Sequence, residues 1–108
     1  MAIIAVVTTV GSRDEARTMA RTLVERRLVA CAQISEIESF YCWDGATQNE
    51  PEFHLLLKTR EDRYDAVEKA IRTLHSYQVP AIYAHALVHV DAAFAQWVEA
   101  QTRDEGLP

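Results

Sequence analysis

From Leu28 to Thr59 the chain reads LVACAQISEIESFYCWDGATQNEPEFHLLLKT, two extended segments on either side of Asp44-Gly45. An Asp-Gly pair between such segments predicts a type I′ hairpin turn, whose two central residues both need positive φ. The first arm, Val29 to Trp43, is the strongest constraint on the fold. At roughly 3.3 Å per residue it would span about 50 Å, around three times an ordinary strand. A domain of this length has a radius near ~13 Å. Part of the hairpin must therefore reach beyond its own core, with Phe40, Tyr41 and Trp43 near its tip. Open strand edges and an aromatic cluster need a partner, so the hairpin points to assembly.

Within the first arm the polar and apolar alternation slips around Ser35-Glu36-Ile37, which predicts a bulge or bend. Pro51, in the second arm, has no N–H to give a ladder and predicts an edge or bulged position. Beyond it Phe53, Leu55 and Leu57 point one way, and Glu52, His54, Leu56 and Lys58 the other.

The flanks supply the remaining elements. Ile3 to Thr9 reads as a buried strand that Gly11 breaks, and Ser12 with Glu15 is a capping-box signature. Ala16, Met19, Ala20, Leu23 and Val24 then recur at helical spacing, predicting a helix that ends near Arg27. Thr59 with Asp62 predicts the start of a second helix, with Tyr64, Val67, Ile71 and Leu74 on its apolar face. Pro80 makes 75–80 a loop, and Ala81 to Val90 reads as a strand. Asp91 caps a last helix through Phe94, Trp97 and Val98, and the tail from Arg103 is expected to be loose. Strand, helix, strand, strand, helix, strand is the split βαβ, ferredoxin-like order, here followed by an extra helix. The expectation is one α+β domain over residues 1–108, with the long hairpin used in assembly.

Composition removes several functions. The net charge of -5, from 11 basic and 16 acidic residues, argues against a nucleic-acid binder. No apolar run approaches the 18 or so residues of a membrane span. The opening MAIIAVV lacks a basic leader and a long apolar stretch, so a cytoplasmic location is expected. Two cysteines, Cys31 and Cys42, are too few for a disulfide scaffold and read as thiols.

Leu28-Val29-Ala30-Cys31, Ser39 with Tyr41, Trp43 and Gly45, Glu52, Lys58-Thr59, His75 with Tyr77 and Pro80, and Trp97 follow one another in a specific order. In that order and spacing the chain resembles the CutA family of divalent-cation-tolerance proteins over nearly its whole length. The resemblance implies a homotrimer of ferredoxin-like subunits whose strands pair between protomers. It also implies a role in tolerance to copper and other divalent cations, with copper binding and no defined catalytic reaction. The architecture is similar to that of the trimeric PII signalling proteins, which bind small effectors in clefts between subunits, and this is the alternative reading. The chain departs from the family pattern at Ser76, where a proline often follows the histidine, and at Ala81, where a glutamate is usual. Gln33 and Val90-Asp91 depart as well.

Candidate donors for a transition metal are Cys31, Cys42, His54, His75, His85 and His89, with Glu50 and Glu52. None forms a C-x₂-C or H-x₃-H pair, and His85 and His89, on one strand face, stand about 13 Å apart. On the resemblance Cys31 is the soft donor, with His75 and Glu52 next, while Trp43, Lys58 and Tyr77 are candidate cleft residues. No Ser/His/Asp or Cys/His arrangement or Gly-rich phosphate loop is visible, so an enzyme is not expected.

Overall fold

The structure, a computed structural model, describes residues 2–103. Its elements in chain order are β1 (Ile3–Val10), α1 (Arg13–Glu25), β2 (Cys31–Trp43), β3 (Ala46–Arg60), α2 (Tyr64–Leu74), β4 (Ile82–Ala86) and α3 (Ala92–Gln101). The strands form one antiparallel sheet in the order β2-β3-β1-β4, the ferredoxin-like arrangement that the element order predicts. The tail expected after Arg103 lies outside the described residues.

Side-chain alternation divides the sheet into two faces. On the first, Val6, Val10, Leu55 and Leu57 pack with Ala16, Met19 and Leu23 of α1 and Val67 and Ile71 of α2 into the main core. On the second face a smaller cluster joins Ile3, Ala30 and Val98, so α3 covers only one end. Ser12 caps α1 by accepting from the Glu15 amide at 3.1 Å, and Asp91 caps α3 by accepting from Phe94. The end of α1 is tied differently. Arg27 sits in the left-handed region at φ 59, and the Leu28 amide bonds back to the Leu23 carbonyl. The Arg27 guanidinium donates to the carbonyls of Ala100 and Gln101, fastening α1 to the end of α3.

The hairpin runs in unbroken register from Cys31↔Lys58 to Trp43↔Ala46. The bulge expected at Ser35-Glu36-Ile37 is absent. The slip in pattern has another cause: beyond Phe53, β3 has no β1 neighbour, so polar residues are tolerated on both faces there. Asp44 and Gly45 adopt φ 56 and 75, as a type I′ turn requires. With the narrow pair at Trp43↔Ala46, alternation puts Pro51 in a pair that exchanges no hydrogen bonds with β2. Its missing N–H therefore faces the open side, and the expected edge position holds. The protein measures 45 × 32 × 20 Å, and its radius of gyration of 14.6 Å exceeds the ~13 Å usual for this length.

Other expectations need correction. Thr59 does not open the second helix; its buried hydroxyl donates to the Leu28 carbonyl at 2.7 Å, and a short turn over Glu61–Arg63 precedes α2. The last strand stops at Ala86 rather than Val90, because Leu87 and Val90 turn in to pack against the cluster of Ile3, Ala30 and Val98. Trp97 stacks on Phe94 at 5.9 Å between ring centres, yet both rings remain over a third exposed.

Candidate functional site

The site is built where β1 ends and β3 continues without it. Glu52 lies on β3 just past Phe53, the last residue of β3 to pair with β1. The 75–80 loop closes the gap. Tyr77 reaches over Gly11 and its hydroxyl donates to Glu52 Oε2 at 2.7 Å, leaving that residue only 7% exposed. A Cβ at Gly11 would stand 3.2 Å from the Tyr77 hydroxyl, so a glycine here makes room for the ring. Burial, the hydrogen bond to Glu52 and the negative charge of that carboxylate hold the Tyr77 phenol well above its ordinary range.

His75 anchors the loop. Its side chain is fully buried, and Nε2 lies 2.8 Å from the Thr9 carbonyl oxygen while Nδ1 accepts from the Tyr77 amide at 3.1 Å. A carbonyl oxygen can only accept, so Nε2 donates to Thr9. Both ring nitrogens are thus committed to backbone. Next to it, the Ser76 amide and hydroxyl donate to the two oxygens of Glu15, each at 3.0 Å. The Glu15 carboxylate, which in a full capping box would return to the helix start, instead holds this loop. Ser76, one of the departures from the resemblance, is what makes that contact.

Glu52 and Tyr77, with Gln78 and Val79 of the same loop, border a depression of about 510 Å³. Its walls include Phe40, Tyr41, Trp43 and Tyr77, with Glu52 and Thr9 between them. Tyr41 donates to Glu50 at 3.1 Å. Ala81 also lines the wall, so the carboxylate expected there from the resemblance is missing.

The structure brings Glu52, Tyr77 and Trp43 to one depression, with the His75 ring 4.8 Å from that of Tyr77, and it leaves out Cys31 and Lys58. Cys31 is half-buried and pairs in register with Lys58. Lys58 stands six residues along β3 from Glu52, roughly 20 Å away, and its ammonium bonds to Gln33. Cys31, Glu52 and His75 of one chain therefore do not converge. Among the described residues no three of His, Cys, Asp and Glu gather as a metal site. Glu15 and Thr9 were not among the candidates that the sequence offered. Only Glu15 carried a signal, and it pointed to helix capping.

The profile of the CutA1 divalent ion tolerance protein family matches residues 4–101. The divalent-cation tolerance protein CutA of Pyrococcus horikoshii is 35% identical over 101 residues, covering 94% of this chain and 99% of its own. Two solved structures agree in fold. One is the periplasmic divalent cation tolerance protein CutA from Archaeoglobus fulgidus, with a TM-score of 0.91 at 30% identity, covering 94% of this chain and 99% of that one. The other is CutA1 from Oryza sativa, with a TM-score of 0.92 at 30% identity and 97% of both chains covered. The chain belongs to the CutA family of divalent-cation tolerance proteins.

Proposed function

We propose that this protein acts as a homotrimer in the cytoplasmic response to metal ions, taking copper or another divalent cation at donors supplied by more than one subunit. The observation that carries this reading is the hairpin. Beyond Phe53 both edges of its two strands are unpaired, and it ends in Phe40, Tyr41 and Trp43, which are 68%, 38% and 47% exposed. Three-fold closure would pair such edges and cover such rings without leaving a free end. In one chain the two nitrogens of His75 are committed to backbone, and Glu52 is held by Tyr77. Of the two free thiols, half-buried Cys31 and exposed Cys42, Cys31 is the soft donor that the family resemblance matches, and copper(I) favours thiolate. A copper(I) competition titration on the assembled protein and on Cys31→Ser tests this. Loss of binding in the variant supports it, and unchanged affinity places the metal elsewhere.

A second reading is favoured by the depression beside Glu52. An aromatic-walled space of about 510 Å³ has the size of a small-molecule site. It suits a regulatory trimer of the PII type, with an effector held near a subunit boundary. Calorimetric titration with small effectors of differing charge, in the absence of metal, separates the two readings.

A further inference from the structure

We propose that the depression beside Glu52 is a binding site for a small organic cation, a methylated ammonium held by aromatic faces over a buried carboxylate. The inference rests on the effector-binding reading and names the ligand class. The walls carry Tyr41 and Trp43 from one face of β2 and Tyr77 from the loop, while among the described lining residues there is no Lys, Arg or His. Glu52 brings a carboxylate that is more than nine-tenths buried into the lining, and its Oε2 accepts from a phenol rather than from a cation. A cation placed in this pocket would pair with that carboxylate, because burial makes an unpaired charge costly. Tyr41 turns its hydroxyl to Glu50, so a second carboxylate reinforces the negative potential at the rim.

The nature of the walls selects among cations. A divalent metal ion asks for several oxygen, nitrogen or sulfur ligands, and three aromatic rings with one buried carboxylate supply too few. Anions are opposed by Glu52. A methylated ammonium spreads its charge over apolar surface, sheds water at little cost and is attracted by the faces of Trp and Tyr rings. Phe40 and Trp43 also belong to the hairpin end assigned to assembly. The site therefore lies at a subunit boundary, and the assembled protein is the one to test.

Calorimetric titration with three probes of one shape decides the matter: choline, its neutral isostere 3,3-dimethyl-1-butanol and the anion 3,3-dimethylbutyrate. Choline should bind saturably, about tenfold tighter than the neutral probe, with the anion weakest. Glu52→Gln keeps an acceptor for Tyr77 and should reduce choline affinity about tenfold, leaving the neutral probe unchanged. Tyr41→Leu, at an exposed position, is the second variant and should weaken choline more than the neutral probe. Equal binding of choline and the alcohol, or undiminished choline binding in Glu52→Gln, overturns the ligand class while the effector reading stands. Saturable binding by none of the three overturns both.

Discussion

At the scale of single residues, the Tyr77–Glu52 contact joins fold to site. Removing the hydroxyl leaves a buried carboxylate without its donor, at a cost of about 1–3 kcal/mol. Tyr77→Phe should therefore lower the thermal midpoint at pH 8. The pH dependence has a definite sign. The folded phenol titrates above its ordinary value of 10.0, so its stabilising contribution is complete below pH 10 and declines as pH rises beyond it. Melting curves from pH 8 to pH 12 should show the gap between wild type and Tyr77→Phe narrowing above pH 10. A constant gap would mean that the phenol is not held protonated by its surroundings. Arg27 offers a separate test, because it combines a left-handed backbone with a guanidinium on the last carbonyls of α3. Arg27→Ala loses the side-chain bonds and keeps the backbone strain, whereas Arg27→Gly relieves that strain. The glycine variant should be more stable than the alanine variant by about 1 kcal/mol in chemical denaturation.

At the scale of elements, the hairpin was the most legible part of the sequence. The Asp44-Gly45 turn, the open-edge place of Pro51 and the inward face of Leu55 and Leu57 all follow from local chemistry, and the structure has them. Helix α1 was equally plain, since a strong apolar stripe and a Ser12 cap are read within a few residues of one another. What escaped was tertiary. Thr59 looked like a helix start, but a buried acceptor on Leu28, 31 residues earlier, decides its role. The end of β4 was set by Leu87 and Val90 packing on Val98, which no local pattern announces. For the site, Glu52, His75 and Tyr77 were legible as candidates, but their grouping was not. Cys31 was legible as a thiol, and its distance from them emerged only with the register of β2 against β3. Gly45 gives this scale its prediction. At φ 75 an added Cβ is strained, so Gly45→Ala should cost about 1–2 kcal/mol. Amide exchange should quicken around Trp43 and Ala46 and leave the strand centre near Leu55 protected.

At the scale of the whole molecule, two kinds of burial should separate. Leu55 is fully buried between the sheet and the helices, and Leu55→Ala should cost about 2–5 kcal/mol of chain stability. Trp43 is 47% exposed in the single chain, so it has little to give that chain's core. Trp43→Ala should instead lose assembly on dilution before it loses helical circular dichroism, while Leu55→Ala loses both together. On the trimer proposal burial is shared between subunits, so the midpoint of unfolding should rise with protein concentration. The measurement closest to the central claim is the solution mass of the unmodified protein by light scattering at micromolar concentration. The hairpin account predicts a mass near 37 kDa, three times the 12.2 kDa chain. A mass of 12.2 kDa with the fold intact would contradict it, since the open hairpin edges and exposed rings would then stand in water without a partner.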